Sequence, residues 1–94
     1  MKIDIHAKNI TVKDSLKELI DNKVNKLSNF HSYILDTDVY LRNEGEGLNS
    51  NEVQIKLNIK NQILVTKEKG DTFEQALETA VDSMKRQLKK AKQK

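Results

Sequence analysis

The chain has 94 residues, with no cysteine and no proline. That length suits one domain, residues 1–94, with a modest core. Without cysteine there is no disulfide or thiolate metal site, so apolar packing alone must hold the fold. No apolar run approaches the ~18 residues that a membrane span needs. The opening Met1–His6 alternates apolar and polar residues where a secretory signal would be continuously apolar, so the expectation is a cytoplasmic protein. Net charge is only +3, yet it is unevenly placed. Residues 85–94 hold six of the 17 basic residues and no acid, which leaves eleven cations against 14 acids, a net −3, over residues 1–84. A mildly acidic body ending in a strongly basic tip suggests a polyanionic partner.

In chain order the pattern reads β-α-β-β-β-α. Ile3, Ile5 and Ala7 share one face of a first strand over about Lys2–Ala7, with Asp4 and His6 on the other. Thr11 followed by Asp14 resembles a capping box with the shorter acid. The helix it opens runs to about Leu27 or Ser28, with Leu16, Leu19, Ile20, Val24 and Leu27 on one stripe. Asn29–Asp36 reads as a loop anchored by Phe30 and Tyr33. A second strand follows over about Asp38–Asn43 with Val39 and Leu41 inward, and then a polar loop over 44–51. The third strand is the clearest element, because Val53, Ile55, Leu57 and Ile59 alternate with polar residues. Asn61-Gln62 reads as a tight hairpin into a fourth strand ending near Lys67. Its register stays open, because Ile63, Leu64 and Val65 are consecutive. Asp71 or Thr72 caps the last helix, with Glu74 or Gln75 three residues on. Phe73, Ala76, Leu77, Ala80, Val81, Met84 and Leu88 form its buried stripe, out to about Lys90.

Strict alternation leaves the sheet one wet face, and two amphipathic helices cover the other. The expected fold is therefore a two-layer α+β sandwich, a four-stranded sheet with two helices on one face, like a double-stranded-RNA-binding domain with an added first strand.

The last helix carries the main chemical signal. Glu74, Glu78 and Asp82 lie in its first half, and cations crowd its last turns. Complementing the helix dipole explains one or two of them. Six in ten residues repel one another, which a purely structural role does not explain. At ~100° per residue, Arg86, Lys89 and Lys90 point away from the apolar stripe. On the first helix, Asp14, Glu18 and Asp21 lie opposite the stripe, and Lys26 borders it. Lys23 falls inside it and must snorkel, its stem on apolar neighbours and its ammonium at the rim. If both helices pack on one sheet face, Lys23 and Lys26 align with the cations of the last helix in a stripe suited to a ribose-phosphate backbone. Lys56, Lys60, Arg42 and His6 are expected on the open sheet face as ordinary surface charges.

Signals for catalysis are thin. His6 and His31 are far apart, no His-x-x-x-His spacing exists, and Gly45-Glu46-Gly47 lacks a phosphate-loop ending. Asp36 and Asp38 could hold a cation, but a role in solvating the passage from loop to strand is the better reading. No serine shows a nucleophile elbow. No enzyme, cofactor, metal or small-molecule substrate is expected. Phe30, Tyr33, Tyr40 and Phe73 are too few aromatics for a stacking platform, which favours a folded, phosphate-rich RNA over free bases.

At this point the chain resembles the ribosome hibernation promoting factor family, once called sigma-54 modulation proteins. The matching runs are Ile5-His6-Ala7-Lys8-Asn9-Ile10 before the first helix and Lys23-Val24-Asn25-Lys26-Leu27 closing it. The most specific is Asp82-x-x-x-Arg86-Gln87-Leu88-x-Lys90-x-Lys92, with Asp71 and Ala76 upstream. Where family members often enter the last helix with aromatic-Ala-Ala-Ile-Asp, this chain has Phe73-Glu74-Gln75-Ala76-Leu77-Glu78. The resemblance implies binding to the small ribosomal subunit in the channel used by messenger RNA and transfer RNA, which would silence translation in starvation or stationary phase. It implies ribosomal RNA contacts by Lys23, Lys26, Arg86, Lys90 and Lys92, and the charge argument adds Lys85 and Lys89. The chain looks like the short form without a carboxyl-terminal dimerisation domain, and a separate ribosome-dimerising factor is a candidate further partner. The competing readings are a general structured-RNA binder, a protein-interaction module using the acidic Glu44–Glu52 loop, and a small hydrolase.

Overall fold

Periodicity in the sequence resolves into four strands and two helices in a computed structural model, which describes residues 2–8, 10–30, 34–45 and 50–92 apart from the Lys92 side chain. The elements are β1 (Lys2–Ala7), α1 (Asp14–Asn25) with a 3₁₀ turn over Lys26–Asn29, β2 (Ile34–Asn43), β3 (Asn51–Ile59), β4 (Gln62–Gly70) and α2 (Phe73–Lys92). The strands form one sheet in the order β1-β2-β3-β4. β1 runs parallel to β2 across the α1 crossover, and β2, β3 and β4 form an antiparallel meander. The expected two-layer α+β architecture is the one observed.

Register explains the layers. Ile3, Thr37, Leu57 and Leu64 lie in one cross-strand row, and Ile5, Val39, Ile55 and Thr66 in the next. These rows face the helices. They meet Leu16, Ile20, Val24 and Leu27 of the α1 segment and Ala76, Leu77, Ala80, Val81, Met84 and Leu88 of α2 in a single core. α2 packs mainly on β4 and β3, fixed by a Thr66 hydroxyl donating to the Ser83 hydroxyl at 2.9 Å and a Gln87 amide donating to the Val65 carbonyl at 3.0 Å.

Several local expectations shift. α1 begins at Asp14, with Lys13 as its cap residue. The Lys13 carbonyl accepts from the N–H groups of Leu16 and Lys17, both at 3.0 Å, and no side chain caps this end, so the Thr11–Asp14 box does not form. β2 starts at Ile34, inside the expected loop. A bulge between Ile34 and Asp36 breaks the alternation there, and Leu35 is left 64% exposed. Phe30 does anchor this region, packed half-buried against the core, while Tyr33 lies outside the described residues. The β3–β4 turn is Lys60-Asn61, since Gln62 already pairs with Ile59. Asn61 takes the positive φ of 68°, a conformation asparagine tolerates better than most residues. The open register of β4 settles with Leu64 and Thr66 inward and Ile63 and Val65 outward. β4 also runs on past Lys67 to Gly70, because Lys67 and Lys69 take the wet side of the same ladder. At α2, the Thr72 hydroxyl accepts from the Gln75 N–H at 3.1 Å, and the Gln75 side chain accepts from the Asp71 N–H at 3.2 Å. α2 extends two residues past Lys90.

Candidate nucleic-acid interface

α1 leads from β1 into the parallel strand β2, and α2 runs back along β4, so both helices point the same way across the sheet. Their carboxyl ends therefore emerge together at the end of the sheet that holds the β3–β4 turn. Backbone carbonyls concentrate partial negative charge at such ends, which favours cations there. The sequence supplies Lys23 and Lys26 from one helix segment and Lys85, Arg86, Lys89, Lys90 and Lys92 from the other.

Lys23 lies as its position in the apolar arc requires. Its side chain is 31% exposed, with the stem tucked between the helices and the ammonium 3.8 Å from a carboxylate oxygen of Glu78. Lys26 is exposed one turn on. Lys23, Lys26 and Lys85 line one small cleft of about 110 Å³ between the helices, together with Glu78, Val81 and Asp82. Lys85 stands 4.0 Å from Asp82 along α2. The ammonium groups of Lys85 and Lys89 lie 5.7 and 5.5 Å from the centre of the Phe30 ring, within cation–π range. Phe30 follows the 3₁₀ turn and so props two α2 lysines from the α1 side. Arg86 and Lys90 are exposed. Lys92 ends α2, and its side chain lies outside the described residues. Two helix segments thus bring Lys23, Lys26 and Lys85 to one cleft and Lys85 and Lys89 to the Phe30 ring, while Arg86 is exposed on α2 and Lys90 borders Gln62 and Leu64 at the β4 edge. Sequence reasoning missed Phe30 as the support of Lys85 and Lys89, and missed Glu78 and Asp82 as internal counter-charges. The helical spacing of Glu78 and Asp82 from Lys85 held a signal for the second, whereas nothing links Phe30 to Lys85 in sequence.

The other candidates do not join this cluster. His6 and Tyr40 lie side by side on the open sheet face, and His6 Nε2 is 2.9 Å from Asp38. Arg42 and Lys56 share that face, while Lys60 sits in the β3–β4 turn. Asp36 accepts a hydrogen bond from the Asn58 amide, so both aspartates are engaged by neighbouring strands. Among the described residues no three His, Cys, Asp or Glu side chains could hold a metal ion together. His31 and residues 46–49 of the acidic loop lie outside the described residues, and Glu52, counted with that loop, is a buried residue of β3. Glu44 accepts from Lys69 at 2.9 Å, and that bond with its charge holds the Glu44 carboxyl below the usual range and lifts the Lys69 ammonium above its own. No described helix is long and apolar enough to cross a membrane.

The family model of the sigma 54 modulation protein / S30EA ribosomal protein matches residues 3–94. The chain belongs to this family. Within the S30EA family it is 20% identical, over 92 residues, to the ribosome hibernation promotion factor of Staphylococcus aureus (strain COL). That match takes in 98% of this chain and 48% of the relative, so the chain spans about half the length of that curated protein. Two solved structures share the fold. The N-terminal domain of Thermus thermophilus Protein Y matches with a TM-score of 0.84 at 20% identity, covering 96% of this chain and 98% of that one. A ribosomal subunit interface protein from Coxiella burnetii matches with a TM-score of 0.89 at 16% identity over the whole of both chains.

Proposed function

We propose that this S30EA-family chain binds the small ribosomal subunit at the channel used by messenger and transfer RNA, silencing translation and favouring ribosome hibernation under stress or in stationary phase. The observation that carries the reading is the convergence of Lys23, Lys26 and Lys85 on one cleft, with Lys89 joining Lys85 at the Phe30 ring and Arg86 and Lys90 exposed on the same helix. These cations come from two helices held rigidly by a shared core, so they form a fixed array. A fixed array suits the phosphates of a folded RNA, where register matters. The proposed RNA contacts also include Lys92, the last residue of α2. Membership of this family and the likeness to a Staphylococcus ribosome hibernation promotion factor support the ribosome as the partner. On this reading the protein works in the cytoplasm by binding and catalyses nothing.

The test is co-sedimentation with purified small and large subunits across a salt series. Wild type should pellet with small subunits and be displaced by initiator transfer RNA. About five neutralised phosphates give a log–log salt slope of roughly −3.5 to −4.5. Changing Arg86, Lys89, Lys90 and Lys92 to alanine should abolish pelleting at moderate salt. A flat salt response, or no pelleting at low salt, would overturn the proposal. Equal affinity for an arbitrary RNA duplex would replace it with general structured-RNA binding.

A further inference from the structure

The sheet face turned away from the helices carries a second arrangement that the helix-end cations do not use. His6, Tyr40, Gln54 and Lys67 form one straight row across all four strands. The first two rings are stacked, 4.7 Å between centroids and 17° between planes. The 2.9 Å contact to Asp38 fixes the orientation of the imidazole, and its side chain is 49% exposed. Counting Phe, Tyr and Trp in the sequence misses this platform, because one of its two rings is a histidine.

The row ends at a notch. β1 stops at Ala7, opposite Leu41, while β2 continues to Asn43. The short edge strand leaves a hollow of about 1000 Å³ around the end of the sheet, reaching Phe73 on the helix side and lined on its polar side by Lys8, Arg42, Glu52 and Lys67. Lys69, one row on, is held by Glu44. Charges alone on a wet sheet face are ordinary. A stacked ring pair opening onto a hollow of mixed polarity, with an amide and cations in the same hollow, is a combination with a specific chemistry. A base needs a flat π surface, its polar edge needs a group that both donates and accepts, and its phosphate needs a cation. Neighbouring strands are about 4.8 Å apart, so the four-residue row spans roughly 14 Å, enough for about two unstacked nucleotides.

We propose that the His6–Tyr40–Gln54–Lys67 row and its notch bind an unpaired RNA segment, with bases stacked on His6 and Tyr40 and phosphates held by Arg42 and Lys67. This surface lies on the opposite sheet face from the cationic helix ends, so the chain has two RNA contacts of different character. One reads fixed phosphates and the other takes splayed bases.

The test uses the full 94-residue chain and hexauridylate, an RNA without secondary structure, with inorganic tripolyphosphate as a charge-matched probe lacking bases. In amide NMR titrations, hexauridylate should shift His6, Tyr40, Gln54 and Lys67, and tripolyphosphate should leave the two ring residues unmoved. By fluorescence anisotropy, His6→Ala together with Tyr40→Leu should weaken hexauridylate binding about tenfold, in line with lost base stacking. His6→Ala alone, at an exposed position, should weaken it severalfold and covers the case in which the double variant unfolds. Shifts confined to the ends of α1 and α2, equal shifts with tripolyphosphate, or unchanged affinity in His6→Ala would each overturn the proposal. Small-subunit co-sedimentation is read separately through the helix-end alanine variant, so the failure of one surface is distinguishable from the failure of the other.

Discussion

Gly70 sits where β4 hands over to α2. A Cβ built there would meet the Ala76 backbone nitrogen at 2.9 Å and the Thr72 carbonyl oxygen at 3.2 Å. Neither atom can yield, because the Ala76 N–H donates to that same carbonyl in the first turn of α2. Gly70→Ala is therefore expected to destabilise the fold by about 1–3 kcal/mol, read as a lower urea midpoint with an unchanged slope. The sequence carried no hint of this, since the constraint comes from a helix packed across the strand end. Lys23 is the opposite case. Helical period alone put it in the apolar arc, and its half-buried stem and rim-placed ammonium follow from that position. A residue's role was legible where its own element dictates it and hidden where a distant element does. Phe30, wedged beneath Lys85 and Lys89, belongs with Gly70.

At the scale of elements, the same division holds. β3 was read correctly through its centre because every second residue is apolar and buried. The ends of β2 and β4 were cut short. Thr37, Thr66 and Glu68 occupy helix-facing positions there, and polar residues on the inner side erase the alternation on which such reading depends. The two helix starts differ in the same way. Thr72 and Gln75 satisfy amide donors through their own side chains, whereas α1 opens on Lys13 without side-chain help and relies on Leu16 and Ile20 reaching the core. Thr72→Ala should accordingly cost about 1 kcal/mol in a thermal or urea melt, while Thr11→Ala should be close to silent.

For the whole molecule, the direction of the helices decides the electrostatics. Because α1 and α2 run the same way, cations from both segments meet at one end, and a chain with a net charge of only +3 presents a concentrated positive surface. Glu78 and Asp82 sit inside that surface, within 3.8 and 4.0 Å of Lys23 and Lys85. An approaching phosphate must compete with them. Replacing both carboxylates, Glu78→Gln with Asp82→Asn, should tighten small-subunit binding by roughly two- to fivefold at low salt, the gain fading as salt rises. Unchanged or weaker binding would mean that these acids position the lysines for RNA.

The amide bond from Gln87 to the Val65 carbonyl has a bearing on what the protein does in the company of its own copies. β4 is an edge strand, with Ile63 and Val65 exposed by 56% and 45% on its outer face. A bare, flat, β-branched edge is a template on which another chain can add a strand, the first step toward fibrous aggregation. The Gln87 side chain already occupies one acceptor that an incoming strand would need, and α2 lies alongside it. The helix that gathers the cations thereby also guards the open margin of the sheet against self-templated growth.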